Sequence, residues 1–198
     1  MPSIRLVAGL GNPGREHAAT RHNAGFWFAD ALALRLGVAF ASEGKFHGQV
    51  AKPGGDLRLQ KPGTYMNLSG RAVSALARFF AIAPEEILVV HDELDLEPGE
   101  AKIKFGGGTA GHNGLRDIAP QLSGSAFWRL RIGIGHPRDS AIPQQPVADY
   151  VLQPPRGGDP AAIDDALTRA QDAWPLIAAG DFERAMLALH TRKEQEPQ

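Results

Sequence analysis

The sequence predicts an α/β fold, a single domain built on a twisted, mixed and largely parallel sheet with helices on both faces. Segments with a strand-like apolar pattern alternate with segments whose apolar residues recur at helical spacing, which is typical of this class. Residues 87–90 form a continuous apolar run, as expected of a strand buried on both faces. The length of 198 residues suits one domain. We therefore expect one domain over residues 1–192 and a short tail at 193–198.

The first predicted strand, residues 4–10, leads into a turn whose glycines and Pro13 shape the backbone. Asn12 lies in this turn, where its amide can hydrogen-bond to the backbone or to a ligand. The apolar stretch at 26–36 predicts the first helix, with Thr20 or Asn23 as its N-cap. His22 therefore lies between the first strand and the first helix.

A hairpin, a helix and the buried strand are predicted next. Residues 46–51 and 57–61 form the arms of the hairpin, joined by a Pro-Gly-Gly-Asp turn. A second turn-rich loop precedes a helix for which Ser69 is a candidate cap. The buried strand at 87–90 then leads into the polar residues HDELD at 91–95.

Two strands in the second half of the chain carry basic residues. Lys102 and Lys104 share one face of the first, and Arg129 and Arg131 share one face of the second. A glycine-rich loop and a helix lie between these strands, and further helices end the chain. Residues 138–158 combine prolines with polar residues and predict a long surface loop, which is a candidate lid.

The composition excludes several classes of function. The 21 basic and 22 acidic residues create no overall field that would draw the protein onto nucleic acid or an anionic membrane, so any basic surface must be local. Because the chain has no cysteine, thiol catalysis, disulfides and cysteine metal sites are excluded. The N-terminus lacks a secretory signal pattern, and no apolar run reaches membrane-spanning length. We expect a cytoplasmic protein.

The glycines of the first turn also match the dinucleotide-binding pattern G-x-G-x-x-G, so a nucleotide-dependent oxidoreductase is an alternative. That pattern requires a helix directly after the glycines and an acidic residue about 20 positions on, at the end of a second strand. The acidic residue near that spacing, Asp30, lies inside the predicted first helix, and Pro13 stiffens the loop that would wrap a pyrophosphate. The match is weak evidence for a nucleotide site.

Polar residues follow strand ends or precede helices at four places: Asn12 with His22, Asn67, Asp92, and His112 with Asn113. Because ligands of open α/β sheets bind outside the carboxyl ends of the strands, we expect these side chains to converge. A histidine base needs a carboxylate to fix its tautomer and stabilise the imidazolium, and Asp92 is placed for that role. Asparagine can orient water or hold an oxyanion without titrating. This pattern favours a histidine-activated water acting on an ester, because an alkoxide leaves more easily than an amine.

Each candidate residue also has a purely structural interpretation. His22 can be an ordinary loop histidine, Asp92 can cap a turn or helix, and the basic pairs can form a solvated strand face. The acidic run through Asp95 is also compatible with a magnesium ion, although such sites usually recruit carboxylates from several segments. Neither a G-x-S-x-G elbow nor a P-loop is present, so serine nucleophiles and phosphate cradles lack a motif.

Several long motifs follow one another along the chain. They are GLGNPG to TRHN at 9–23, YMNLSG at 65–70, HDELD at 91–95, GGG to GHNG at 106–114, and RLRIGIGHP at 129–137. Taken together they closely resemble bacterial peptidyl-tRNA hydrolase over residues 4–190. The resemblance implies a monomeric enzyme that cleaves the ester between a peptide and the tRNA 3′ ribose, recycling tRNA from prematurely released peptidyl-tRNA. It implies no metal and no organic cofactor.

The resemblance also implies roles for individual residues. His22 would be the general base and Asp92 its orienting partner. The implied substrate contacts, which bind the peptide backbone or the 3′ end, position the water or line the channel, are Asn12, His17, Tyr65, Met66, Asn67 and Asn113. The implied clamp on tRNA phosphates consists of Lys102, Lys104 and Arg131. Residues 138–155 resemble the family's mobile lid.

His17 departs from the family, which commonly has tyrosine at this position near the 3′ end of the substrate. An imidazole still stacks or hydrogen-bonds, but it offers less aromatic area. The runner-up interpretation is a tRNA-binding module without catalysis, which would need the basic pairs but neither His22 nor Asp92.

Overall fold

Seven strands form one mixed sheet in a computed structural model that describes residues 1–190. The predicted tail at 193–198 lies outside the described residues. The strands are β1 (Leu6–Gly9), β2 (Ala41–Glu43), β3 (Gly48–Gly54), β4 (Leu57–Pro62), β5 (Ile87–Glu93), β6 (Ala101–Phe105) and β7 (Trp128–Gly133). The helices are α1 (Ala24–Arg35), α2 (Ser69–Phe79), α3 (Asn113–Gln121), α4 (Val147–Val151), α5 (Asp159–Asp172), α6 (Trp174–Ala178) and α7 (Phe182–His190). No helix among the described residues is long and apolar enough to cross a membrane.

The strand order across the sheet is β2-β3-β4-β1-β5-β7-β6. The four central strands β4, β1, β5 and β7 are parallel, whereas β2, β3 and β6 pair with their neighbours in antiparallel fashion. The predicted mixed sheet, parallel in its centre, is therefore confirmed. Strand β2 was not predicted, because a three-residue edge strand is too short to show an alternating pattern.

Helices cover both faces of the sheet. One apolar core includes residues of α1, α5, α6 and α7, and the other includes residues of α2 and α3. Strand β5 contributes to both, since Leu88 and Val90 belong to the first core and Val89 to the second. All seven residues of β5 are buried, which accounts for its continuous apolar run.

Helix α1 packs directly against β1 through two glycines. A Cβ atom on Gly25 would lie 2.3 Å from both the Leu10 nitrogen and the Val90 carbonyl oxygen, and one on Gly9 would lie 2.3 Å from the Gly25 carbonyl oxygen. Real Cβ contacts are never this short, so this packing requires glycine at both positions. The contact holds the start of α1, and His22 just before it, at the carboxyl edge of the sheet.

The predicted side-chain caps are absent from the structure. The Asn23 amide hydrogen-bonds to the Asn12 backbone instead of capping α1, and the Thr20 hydroxyl donates to a preceding carbonyl. Ser69 is the first residue of α2, where its hydroxyl donates to the Met66 carbonyl oxygen at 2.8 Å. Both helices are entered through a short 3-10 turn, which leaves these side chains to make tertiary or local contacts.

Part of the predicted lid, residues 138–158, is not a loop. It contains α4, whose Tyr150 is buried and donates a hydrogen bond from its hydroxyl to the Ile134 carbonyl oxygen at 2.7 Å. The Arg21 guanidinium lies over the Tyr150 ring and donates to the Tyr150 carbonyl oxygen at 2.9 Å. The helix was missed because five residues span less than two turns, and the surrounding prolines dominate the local pattern.

Candidate active site

The carboxyl edge of the central parallel strands collects the predicted polar residues. Asn12 follows β1, Asn67 follows β4, and Asp92 lies near the end of β5. His22 lies in the 3-10 turn before α1, and His112 precedes the first residue of α3. The expected convergence is therefore observed for His22, Asp92 and His112, which contact one another.

His22 and Asp92 form a buried hydrogen-bonded pair. The His22 Nδ1 atom lies 3.0 Å from Oδ1 and 2.9 Å from Oδ2 of Asp92. Asp92 is 3% exposed and His22 is 8% exposed, so the pair is shielded while the imidazole retains some contact with solvent. Donation from Nδ1 to the carboxylate leaves the neutral ring with its lone pair on Nε2, which is the tautomer that a general base at Nε2 requires.

His112 is a second donor to the same carboxylate. Its Nε2 lies 2.8 Å from Asp92 Oδ1, and its Nδ1 lies 3.4 Å from the Leu115 backbone nitrogen. Because the Leu115 N–H donates to Nδ1, the proton of a neutral His112 ring is on Nε2, where it can be donated to Asp92. The sequence predicted that His112 belongs to a polar cluster, but not that it contacts Asp92. The GHNG motif at 111–114 was the sequence feature that could have indicated this contact.

The electrostatics favour a negative Asp92 between its two histidines. Burial raises the pKa of the Asp92 carboxyl, but the attraction of His22 and His112 and their hydrogen bonds outweigh it, so that the pKa is lowered. Burial lowers the pKa of His22, and the charge of Asp92 reverses this effect, so that the net pKa is raised. In His91, which is fully enclosed, burial dominates and lowers the pKa to about 3, so that this ring is neutral at neutral pH.

Asn12 is held by a small network that was not predicted. Its Oδ1 accepts a hydrogen bond from the Met66 backbone nitrogen at 2.7 Å. The Asn23 side chain accepts from the Asn12 nitrogen at 2.9 Å and donates to the Asn12 carbonyl oxygen at 3.0 Å. These bonds orient the Asn12 amide, whose Nδ2 donates to no group among residues 1–190 and is available to a ligand.

The other predicted contact residues surround this centre with differing exposure. Asn67 and Asn113 are exposed, and Tyr65 is 60% exposed. The rings of His17 and Tyr65 approach edge to face, with 6.4 Å between their centroids. Met66 is buried, so its side chain forms part of the packing beneath the site.

The four basic residues share one face at the β6–β7 edge of the sheet. Lys102 lies opposite Arg131 and Lys104 opposite Arg129 in the antiparallel register. The two arginines have internal partners: Arg131 pairs with Glu93, and Arg129 donates to the carbonyl oxygens of residues 106 and 108. Neither lysine forms an ion pair with any residue that the structure describes.

A metal ion has one candidate set of ligands in the described part of the chain. The ligand atoms of His22, Asp92 and His112 lie within 4.8 Å of one another. The same distances are accounted for by the two hydrogen bonds to Asp92, which use the imidazole nitrogens facing the carboxylate. Hydrogen bonding therefore explains this cluster without an ion.

Comparison with known proteins identifies the relatives of this chain. A family model described as peptidyl-tRNA hydrolase matches residues 6–197. A peptidyl-tRNA hydrolase of Nitrosospira multiformis is 54% identical over 194 residues, covering 96% of this chain and 100% of the relative. One of Bordetella petrii is 57% identical over 192 residues, covering 96% of this chain and 91% of the relative.

Solved structures agree with the sequence relatives. The crystal structure of peptidyl-tRNA hydrolase from Acinetobacter baumannii has a TM-score of 0.91 and 45% identity, covering 98% of this chain and 97% of the other. A crystal structure of peptidyl-tRNA hydrolase in complex with N-propanol has a TM-score of 0.90 and 45% identity, covering 97% of each chain.

Proposed function

Because the chain belongs to the peptidyl-tRNA hydrolase family, whose members hydrolyse peptidyl-tRNA, we propose that His22 is the general base of this reaction. The observation that carries the proposal is the contact of His22 Nδ1 with both oxygens of the buried Asp92. That contact orients the ring, leaves a lone pair on Nε2 and stabilises the imidazolium that forms when Nε2 takes a proton. His112 supports the arrangement by holding Asp92 from the other side.

The proposed reaction begins when His22 Nε2 removes a proton from a water molecule. The water oxygen attacks the carbonyl carbon of the ester, and the Asn12 Nδ2 donates a hydrogen bond to the negative oxygen of the tetrahedral intermediate. Collapse breaks the bond between that carbon and the ribose oxygen, which receives the proton held on His22. One water is consumed, and a peptide acid and a tRNA with an unesterified 3′ ribose are released.

The remaining contacts are proposed from their position around this centre. Asn67 and Asn113 would hydrogen-bond the peptide backbone or the 3′ end, and the exposed ring of Tyr65, with His17 beside it, would contact the terminal nucleotide. Met66 would act through its backbone nitrogen, which fixes Asn12.

The tRNA would lie on the β6–β7 edge. Lys102 and Lys104 present positive charge there, beside Arg131, whose guanidinium also pairs with Glu93, and phosphate groups are the ligands such a face prefers. We further propose that the enzyme acts as a monomer in the cytoplasm, where peptidyl-tRNA arises, and that the exposed part of residues 138–158 covers the substrate.

The test is release of tRNA from a peptidyl-tRNA whose amino group is blocked. His22→Ala should lower kcat by about 10²- to 10⁴-fold, the usual contribution of a general base, while binding of uncharged tRNA is kept. The control is His136→Ala, which removes a ring that accepts a hydrogen bond from the Arg138 backbone and should leave kcat unchanged. Full turnover by His22→Ala would refute the assignment, and equal activity of all variants at the background level would favour a tRNA-binding module.

A further inference from the structure

Arg129 is the buried member of the four basic residues at the β6–β7 edge. It is 5% exposed, whereas Lys102 is half-buried and Lys104 is exposed. Its Nη1 donates to the Gly108 carbonyl oxygen at 2.9 Å, and its Nη2 donates to the Gly106 carbonyl oxygen at 2.5 Å. Its Nε is enclosed and has no hydrogen-bond partner among residues 1–190. Because the guanidinium is enclosed and both terminal nitrogens are engaged, a phosphate reaches the lysines but not Arg129.

The two carbonyl oxygens belong to the glycine-rich loop at 106–111, which joins β6 to α3. Gly106, Gly107, Ala110 and Gly111 have positive φ angles of 63°, 91°, 48° and 79°. Glycine occupies positive and negative φ about equally, and alanine disfavours positive φ, so this backbone has little preference of its own for the observed path. The guanidinium therefore supplies an external anchor, which fixes two carbonyls two residues apart.

The far end of this loop leads into the candidate active site. His112 follows the loop directly, and its backbone nitrogen donates to the carbonyl oxygen of Thr109 at 2.9 Å. Thr109 is the residue after the second carbonyl that Arg129 holds. The His112 side chain then reaches Asp92, which is anchored in β5. A shift of the loop would therefore move His112 relative to this carboxylate.

We propose that Arg129 is a positioning residue, which holds the glycine-rich loop so that His112 stays hydrogen-bonded to Asp92, and that it takes no part in binding phosphate. The proposal rests on the proposed function, in which Asp92 orients His22. Arginine suits this task because its rigid, planar guanidinium presents several N–H donors in a fixed fork. The basic face is thus divided between residues that face the tRNA and one that holds the loop.

Arg129→Gln tests the proposal in the whole enzyme, with amino-blocked peptidyl-tRNA as substrate. Loss of the fork should lower kcat by about tenfold, within the range expected for a small displacement in a site, and by no more than His112→Ala does. KM and the salt dependence of tRNA binding should stay unchanged, since no phosphate contact is lost.

A double-mutant cycle separates this role from general stabilisation. In the His112→Ala background the group to be positioned is already missing, so the cost of Arg129→Gln to kcat should be at least about threefold smaller than in the unmodified enzyme. A residue that only stabilised the fold would cost the same in both backgrounds.

A second pair of variants leaves Arg129 in place, and it decides the question if Arg129→Gln does not fold. Gly107→Ala puts a Cβ atom 2.7 Å from the Arg129 Nη2 at a φ of 91°, so it should displace the loop and also lower kcat. Gly108→Ala is the matched control, because a Cβ there meets no atom within 4 Å and the carbonyl that Arg129 holds is kept. Its kcat should equal that of the unmodified enzyme.

Unchanged kcat in a folded Arg129→Gln, or in Gly107→Ala, would overturn the proposal. A smaller salt slope for Arg129→Gln would also overturn it, because it would place this residue at a phosphate, and so would an equal cost with and without His112. Failure of the proposed base would appear separately, as full turnover by His22→Ala.

Discussion

At the scale of single residues, Asp92 is the centre of the site because one buried carboxylate accepts hydrogen bonds from two histidines. His22 Nδ1 and His112 Nε2 approach it from different elements, and both rings are thereby held in defined tautomers. A buried charge is costly unless it is paired, and these two donors supply the pairing. The same interaction raises the pKa of His22, so the two functions of Asp92, orientation and electrostatic tuning, are inseparable.

The pH dependence of the Asp92→Asn variant follows from this coupling. Asp92 raises the pKa of His22, so an uncharged amide lowers it, and His22 remains a neutral base at more acidic pH. We expect kcat/KM to fall by at least about 10²-fold while its acidic limb moves to lower pH than in the unmodified enzyme. The measurement is a pH–rate profile of peptidyl-tRNA hydrolysis.

Asp95→Asn is the matched control, since Asp95 is exposed and three residues further along the same acidic run. Its acidic limb should coincide with that of the unmodified enzyme. If the acidic limb of Asp92→Asn stays in place as well, the titrating group is not His22 under the influence of Asp92.

At the scale of elements, the site depends on how closely α1 approaches the sheet. His22 and Asn23 immediately precede α1, and α1 is held against β1 through Gly25 and Gly9. A shift of this helix would therefore move the proposed base relative to Asp92, which is anchored in β5. We therefore expect a substitution at either glycine to affect catalysis, although neither takes part in the proposed chemistry.

Gly25→Ala tests this packing. Its Cβ would meet the backbone of Leu10, just after β1, and of Val90 in β5 at 2.3 Å, and backbone cannot move as a flexible side chain can. We expect a loss of unfolding free energy of about 1–3 kcal/mol, together with lower kcat, measured by urea denaturation and by turnover. Gly158→Ala is the control, because a Cβ there meets no atom within 4 Å; a loss as large as that of Gly25→Ala would contradict the packing argument.

Tyr150→Phe tests the anchor of α4. The variant loses the hydrogen bond from the buried hydroxyl to the Ile134 carbonyl oxygen but keeps the ring beneath the Arg21 guanidinium. We expect a decrease in unfolding free energy of about 0.5–1.5 kcal/mol, with unchanged affinity for uncharged tRNA. An unaltered denaturation midpoint would show that the hydroxyl contributes nothing to holding this segment.

At the scale of the whole molecule, charge is distributed unevenly although the chain is close to neutral. The chain has 21 basic and 22 acidic residues, yet four basic residues share one face at its β6–β7 edge. Of these, Arg129 is buried and Arg131 pairs with Glu93. At the β2–β3 end of the sheet, a groove of about 720 Å³ beside Asn12 is lined by one ion pair, Asp30 with Lys61, and by His47. Local charge of this kind steers an extended anion to one side of the ester without a large net charge.

The salt dependence of binding measures this local charge. Binding of uncharged tRNA should weaken with rising salt, and Lys102→Ala should reduce the magnitude of the slope of log K against log salt by about 1. Lys102 is a cleaner test than Arg131, whose removal would leave Glu93 without its partner. Lys52→Ala is the control, since Lys52 lies on β3 and pairs with Glu43. If Lys102→Ala has the same slope as the unmodified protein, Lys102 does not belong to the tRNA interface.

Much of this organisation was available from local patterns in the sequence. The continuous apolar run of β5 and the hairpin of β3 and β4 predicted strands correctly, because burial on both faces and a glycine-containing turn each have a local signature. Elements that span less than two of their own periods, β2 and α4, lacked such a signature. The five motifs between residues 9 and 137, taken together, were sufficient to identify the family to which the chain belongs.

The sequence by itself therefore determined the fold class, the family and the residue types at the ends of the strands. Only the tertiary structure decided which of them meet: His22 and Asp92 are 70 residues apart in the chain, and His112 reaches the same carboxylate from another element. The capping role predicted for Asn23 was replaced by its bonds to Asn12, and the groove at the β2–β3 end of the sheet has no sequence signal. These features depend on strand order and helix placement, because contacts between distant segments exist only after the sheet is assembled.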